Sequence, residues 1–470
     1  MSLFSSLTTA VSGLNAQQAA IGNISDNVAN AQTVGFKEIN TSFENLVTES
    51  DQNFNQPGGV LAKPVYENSL SGSLVQAQQS TDLAISGQGF FQVKAPPATA
   101  AGSAAGTTFS GTDYYTRRGD FSVNNQGYLV NGAGYYLEGY NVNPQTNVVT
   151  NAAGSAVPIQ VTQLLYNPVA TSISTLTANL PSNSAIQGSP GYTSPSPVTT
   201  TVFDALGNPH QAAIQFNHIG PDPAAVPPIT ADTWSASITL AGSTNPAATF
   251  NMTFGDGTST YAALGGTGAT VPPAGTLASI TETDVPAQAV LPAATATGTA
   301  ATIGMTYNIG TAANPVNLPL TFNLGQFGTD TGVTQFADTQ VTSTFNSNGI
   351  ARGSYQGVSI DTNGNVSINY SNGQSLTYFQ IPIAQFNAPN QLQRLDGSAF
   401  AATQASGNAN LSEASTNGAG SISSSTLEQS NVDIASEFTK LITAQNVYSA
   451  NSKVITTDNQ LLQTIINVIQ

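Results

Sequence analysis

Near the N-terminus Leu7, Leu14, Ile21 and Val28 recur every seven residues. At the other end Ile434, Leu441, Tyr448, Ile455, Leu462 and Ile469 do the same over 36 residues. Leu3 and Val11 adjoin the first stripe, and Val447, Val454, Leu461 and Val468 widen the second. A strict seven-residue apolar repeat keeps one seam facing a partner helix and supercoils the pair left-handedly. The pattern therefore predicts a helix at each end of the chain. Ser430-x-x-Asp433 predicts a capping box for the second, with Asp433 and Glu437 near its positive end.

Neither helix is self-sufficient. The first is dominated by Ala, Ser, Gln and Asn, and carries Gly13 and Gly22, each costing about 1 kcal/mol relative to Ala. A stripe that narrow needs something to pack against. Two arrangements satisfy it: a hairpin of the two helices within one chain, or helices that order on packing against other subunits. Ala10, Gly13, Ala20 and Gly22 would permit close approach. If the terminal helices pair, both chain ends meet and whatever lies between is a nested insertion.

The middle reads as antiparallel β structure. Phe121 to Val130 is strand, turn, strand. Val358 to Tyr370 is a hairpin around Asn363-Gly364, a pair suited to a type I′ turn. Phe345-Asn-Ser-Asn-Gly-Ile350 reads as another hairpin. Residues 221–315 are rich in Ala, Thr, Gly and Pro and predict a loosely patterned outer β segment. The fold class expected is α+β multidomain: a terminal α-helical coiled coil from both chain ends, with nested antiparallel β domains between.

Composition narrows the function. Only 7% of residues are charged, with 9 Lys+Arg against 25 Asp+Glu, and no Lys or Arg occurs between Gly119 and Ala351. Nucleic-acid binding and polybasic membrane binding need clustered cations and are not expected. With no cysteine there are no disulfides or thiolate sites. No run of 18 apolar residues suggests a membrane span. The first positive charge is Lys37, so a cleaved signal peptide is not expected. Yet the chain looks extracellular, with well over a third of it Ser, Thr, Asn and Gln.

Catalytic sets are not evident. Asp204, His210 and His218 lie close in sequence, but no Gly-x-Ser-x-Gly accompanies them; a turn and a strand account for them. Asp361-x-Asn363-x-Asn365 opens like a calcium loop, but its glycine falls at the fourth position and Asn372 stands where a glutamate is needed. Gly87-x-Gly89 lacks the third glycine of a dinucleotide loop. Trp234 alone is thin for a carbohydrate platform. No catalytic, cofactor-binding or metal residue is assigned, and no cofactor is expected.

Four segments together resemble the flagellar axial family, the rod and hook proteins of bacteria. Asn27-Val-Ala-Asn30-x-x-Thr33-x-Gly35-Phe36-Lys37 is similar to its N-terminal signature. Asp82-Leu-Ala-Ile-Ser-Gly87-Gln-Gly89-Phe90-Phe91 is similar to a second block, and Tyr115-Thr-Arg117-Arg-Gly119-x-Phe121, running to Gly127-Tyr-Leu-Val130 and Gly139-Tyr140, to a third. Leu427-Glu-Gln-Ser-Asn431-Val-Asp433, with Leu441-Ile-x-x-Gln445-x-x-Tyr448-x-Ala450-x-x-Lys453-Val-Ile455 and Leu462-Gln-Thr464, resembles the C-terminal block. Length, and the likeness of Thr201-Val-Phe-Asp-Ala-Leu-Gly-Asn208 and of Phe379 to Gln404, favour the hook branch. Asn446 departs from the family's usual Arg, and Ser69-Leu-Ser-Gly72 lacks its aromatic-x-Gln-Gly.

The resemblance implies a structural subunit, not an enzyme. Many copies would assemble into a flexible curved tube, a universal joint carrying torque from the basal-body rod to the filament. It implies an inner-tube coiled coil from 1–30 and 430–470, a brace with extended segments at 31–80, an inner β domain from 81–157 and 340–429, and an outer β region at 158–339 that is one domain or two. The two apolar heptads, Leu7 to Val28 and Ile434 to Ile469, would pack between subunits. Implied partners are other copies of the chain, the rod, hook cap and hook–filament junction proteins, and the flagellar type III export apparatus, which would deliver the chain outside the cell. A distal rod subunit, a secreted β-rich hydrolase and a surface adhesin are the competing readings.

Overall fold

The computed structural model describes all residues except 1–2, 52–53, 97–108, 110, 151–155, 162–164, 222–230, 241–245, 285–291, 293, 309–316, 339–341 and 470. The protein is mostly β, with one long helix at each end, α1 (Leu3–Ala29) and α2 (Ile434–Ile469). It divides into two compact units. Residues 1–164 and 355–470 form the first, and residues 165–354 the second.

In the first unit α1 runs into a long two-stranded ribbon, β1 (Ile39–Asp51) and β2 (Phe54–Tyr66), paired antiparallel. Ser12 Oγ accepts from Val60 N at 3.1 Å and Asn23 Nδ2 donates to Thr41 Oγ1 at 2.9 Å, laying the ribbon along α1. Most of the rest of the unit is a branched 14-stranded sheet in which the strands Phe90–Lys94, Asp113–Thr116 and Tyr136–Asn143 are central. Two small sheets join segments from opposite ends of the chain. Leu74–Gln76 pairs with Thr426–Glu428, and Leu83–Ser86 with Ser421–Ser424.

The second unit is two five-stranded sheets. Their inward residues, among them Leu176, Ile214, Trp234, Phe250, Ile303 and Phe322, form one apolar cluster. The strand Thr233–Leu240 alternates strictly inward and outward over most of its length, and Ala300–Asn308 and Asn317–Gln326 alternate likewise. The segment 221–315 is thus more regular than its sequence suggested. Its inward positions include Ala236, Ala248 and Ala301, whose low hydropathy hides the period.

Three local expectations are corrected. The sheets are not wholly antiparallel: Ile173–Asn179 runs parallel to Asn317–Gln326 and to Val333–Thr334, since an entire meander is built between them and gives the chain room to cross over. Phe345 to Ile350 is no hairpin; Thr342–Ser347 pairs instead with Ile173–Asn179. The Asn363-Gly364 turn is not type I′, which needs positive φ at both residues. Only Gly364 has it, at 84°. Asp361 drives a different turn, its Oδ1 accepting from Asn363 N and Asn365 N at 2.9 Å while Gly364 N donates to Asp361 O.

Candidate assembly site

The helices α1 and α2 pack against each other antiparallel, along a seam of small and polar residues. Ser6 Oγ donates to Asp458 Oδ2 at 2.7 Å, and Asn27 Nδ2 to Glu437 Oε2 at 2.9 Å. Between them Gly13 sits against Asn451, whose Nδ2 lies 2.7 Å from where a Cβ would be. Ala20 and Ala444, both buried, fall at the remaining step. The inward heptads are therefore Ser6, Gly13, Ala20, Asn27 and Glu437, Ala444, Asn451, Asp458. The first precedes the apolar heptad of α1 by one residue, and the second follows that of α2 by three.

That offset decides where the apolar side chains go. Leu7, Leu14, Ile21 and Val28 are half-buried on the flank of the seam, as are Leu441, Ile455 and Leu462, while Ile434 and Tyr448 are exposed. Ile21 and Tyr448 line one groove across the pair. The side chains of Leu3, Val468 and Ile469 lie outside the described residues. Facing solvent on α2 are Phe438, Ile442, Leu461, Ile465 and Ile466, with Ile442 at 59% and Ile466 at 56% exposure. So many exposed apolar side chains on one helix are uncommon on a chain that stays alone.

The start of α2 is capped by Asp433 alone, whose Oδ1 accepts from Ala435 N at 2.9 Å and Ser436 N at 3.4 Å. The Ser430–Asp433 capping box is corrected: the helix begins at Ile434, so Asp433 is its N-cap, and Ser430 turns back to Val432 N. Glu437 is more than a favourable charge at a helix start. Its Oε1 accepts from Lys440, which also donates to Glu38 Oε1 at 2.6 Å and Asn40 Oδ1 at 2.8 Å. Against partial burial, these two carboxylates hold the Lys440 ammonium above its ordinary value.

The signature residues form the junction just beyond α1. Buried Asn27 is fully used: besides Glu437 it donates to Ile39 O and accepts from Ile39 N, both at 2.9 Å. Asn30 ends the helix by donating to Asp26 O and Oδ1 at 2.9 Å, and its Oδ1 accepts from Thr33 Oγ1. Gly35 adopts φ 68°, and a Cβ there would lie 2.6 Å from Arg118 N. The Arg394 guanidinium lies 4.7 Å over the Phe36 ring and donates to Lys37 O at 2.9 Å.

Lys37 and Glu428 are at the centre of the junction, each with no exposed side-chain surface. The Lys37 ammonium donates to Glu428 Oε1 and to Leu70 O, both at 2.5 Å. Gly72 N donates to the same carboxylate oxygen at 2.8 Å. Arg117 Nη1 donates to Glu428 Oε2 at 3.0 Å, and its Nη2 to Gly87 O at 2.7 Å. Burial pulls the Lys37 ammonium down to about 8, against the attraction of Glu428. For Glu428 burial pushes upward, but Arg117 and Lys37 outweigh it and hold the carboxylate below its ordinary range. One buried triad thus ties the segment after α1, the 70–72 turn, the β sheet and the strand leading toward α2.

Arg117, Arg394 and Glu428 lie inside segments that carry the resemblance, but no sequence feature pairs them with Lys37. With nine cations in 470 residues, each one near a signature block was a candidate for burial. The other titratable candidates do not converge. His210 Nε2 lies 3.4 Å from Asp204, which holds its own turn through Leu206 N and Asn208 N. His218 stacks on Trp234 and pairs with Asp232 at 2.7 Å.

Comparison with known proteins bears on this geometry. Residues 7–37 match the family described as flagella basal body rod protein, and 84–174 that of the flagellar hook protein FlgE/F/G D1 domain. Residues 170–350 match the flagellar basal body protein FlaE D2 domain, and 423–468 the flagellar basal body rod FlgEFG protein C-terminal family. The chain is 30% identical over 468 residues to the flagellar hook protein FlgE of Brucella suis biovar 1 (strain 1330), with all of both sequences covered. It is 27% identical over 480 residues to that of Salmonella typhimurium (strain LT2), covering 98% of this chain and 100% of the other. The crystal structure of Helicobacter pylori flagellar hook protein FlgE2 aligns with a TM-score of 0.43 at 13% identity, covering 74% of this chain and 98% of that one.

Proposed function

This chain belongs to the flagellar hook protein family, and from that premise we propose that it is a structural subunit of the bacterial hook, a short curved tube that couples the basal-body rod to the filament. The observation that carries the reading is the mismatch between seam and stripe in the helix pair. A hairpin meant to stand alone would bury its leucines and isoleucines inside. This one closes on Gly, Ala and polar contacts and turns apolar rows outward, where neighbouring copies would cover them.

In that reading residues 1–30 and 430–470 form an inner tube by coiled-coil packing between copies, with Leu7, Leu14, Ile21, Val28, Ile434, Leu441, Tyr448, Ile455, Leu462 and Ile469 at the interface. Residues 31–80 brace neighbouring copies. The β regions, inner at 81–157 and 340–429 and outer at 158–339, slide past their neighbours as the joint rotates. The Asn27 to Lys37 signature is the clamp that transmits load from tube to β structure. Delivery is through the flagellar type III export apparatus, and the tube meets rod, cap and junction proteins at its ends.

Immunogold electron microscopy of isolated flagella, with antibody against residues 171–330, tests the assignment. Label on the curved segment between basal body and filament is expected. Label on the straight rod would move the protein to the rod branch, and absence of label from every flagellar structure would overturn the reading.

A further inference from the structure

In the central sheet of the first unit, Glu138 has no exposed side-chain surface, and neither of its carboxylate oxygens accepts a hydrogen bond. The strands Phe90–Lys94 and Tyr136–Asn143 run antiparallel with Val93 opposite Leu137 and Lys94 opposite Tyr136. That register sets Gln92 directly across from Glu138. Gln92 is buried too, and its Oε1 also lacks a donor. Three orphaned acceptor atoms side by side are costly to bury, and a single proton on Glu138 would turn one of them into a donor to Gln92 Oε1.

The nearest cation does not resolve this. Lys94 is 3.8 Å from Glu138 Oε1 and is engaged instead by Asp113, directly opposite it on the strand Asp113–Thr116. One ammonium is shared between two carboxylates, and the more exposed Asp113 has it.

We propose that Glu138 is a proton-binding switch within the sheet: as the neutral acid it donates to Gln92 Oε1 and leaves Lys94 to Asp113, and on ionising it draws Lys94 away from Asp113. No bond is made or broken beyond the O–H, whose proton passes to solvent. Burial pushes the Glu138 carboxyl up to about 7, with Asp113 adding to the rise and Lys94 and the Gln92 side chain opposing it. The other ionisable groups facing it are Tyr115, from the strand Asp113–Thr116, and Tyr136 and Tyr140 of its own strand. Burial, with Asp113 and Glu138 adding to it, pushes Tyr115 to about 12, so it stays neutral throughout. The neighbouring strands Leu129–Asn131, Val148–Val149, Val157–Pro158 and Pro382–Gln385 bring no ionisable side chain. Ser375–Gln380 brings Tyr378, whose hydroxyl meets Tyr370 at 3.2 Å. No ionisable residue lies in the sequence between Lys94 and Asp113.

The full chain contains nine glutamates, so labelling glutamate Cδ with carbon-13 gives a tractable NMR titration. One signal is expected to titrate near neutrality and to vanish in Glu138→Gln. Asp113→Asn frees Lys94 and should weaken proton binding at least tenfold; Lys94→Met should strengthen it. The opposite shifts in the last two variants decide the matter even if Glu138→Gln fails to fold. The proposal is overturned if every glutamate titrates below about 5, the ordinary range. It is equally overturned if the high signal survives Glu138→Gln, or if the two neighbouring variants move it the same way.

Discussion

Lys37 Nζ lies 2.5 Å from Glu428 Oε1, a buried pair separated by 391 residues of sequence. The contact joins the two ends of the chain at the point where helix gives way to sheet, and Arg117 makes it a triad.

Removing the anion should therefore be severe. Glu428→Gln leaves Lys37 and Arg117 buried without a counter-charge, and breaking such a pair costs about 3–5 kcal/mol. Urea unfolding of the full chain should show that loss in the transition of the first unit. A loss under about 1 kcal/mol would mean that water reaches the triad, since solvated ion pairs are worth no more than that.

The same carboxylate gives the molecule an acid-labile junction. Glu428 is held below its ordinary value in the folded chain, so the unfolded chain binds more protons as pH falls. The stabilisation is complete above the ordinary carboxylate value of 4.5 and is lost progressively below it. Thermal unfolding between pH 6 and 3 should fall steeply for the wild type and less steeply for Glu428→Gln. Parallel curves would assign acid sensitivity to other carboxylates.

Two glycine-to-alanine changes should have opposite signs. Around Gly22 no atom lies within 4 Å of an added Cβ, so Gly22→Ala should stabilise α1 by about 1 kcal/mol. Gly35 has φ 68° and the Arg118 backbone 2.6 Å away. Gly35→Ala meets both strain and a clash with main chain, and should cost at least about 2 kcal/mol. Differential scanning calorimetry of both variants checks the pair. If Gly35→Ala is neutral, the junction is more plastic than its packing implies.

The outward face of α2 separates folding from assembly. Ile442→Ser with Ile466→Ser removes two exposed apolar side chains and should leave chain stability within about 0.5 kcal/mol. Sedimentation of polymerising protein should show a critical concentration raised at least tenfold, equivalent to about 1.4 kcal/mol of association free energy. Unchanged polymerisation would place the inter-subunit interface on another face.

How much of this was legible in the sequence differs between elements. The helices could be read because Leu7 to Val28 and Ile434 to Ile469 repeat audibly. Their seam could not, because Ser6, Gly13 and Ala20 carry no hydropathy signal; the pairing they make depends on what they lack. Asn27, Gly35 and Lys37 were recognisable as a block, but the partners Arg394 and Glu428 of Lys37 lie 357 and 391 residues away, and the partner Glu437 of Asn27 lies 410 away. No local pattern encodes a pairing that distant. The turn at Gly364 was misread because Asp361, three residues earlier, accepts two backbone N–H groups and selects a different geometry.

A seam that repeats every seven residues offers evenly spaced alternatives, and its two ends exclude them. A slide of one repeat would set Glu437 against Ala20 and Asn451 against Ser6. The glutamate would then be without the Asn27 donor that now meets it, and Asp458 without the Ser6 hydroxyl. Those two hydrogen bonds act as index marks on a scale. A hairpin that opens and closes again regains both hydrogen bonds at one setting only.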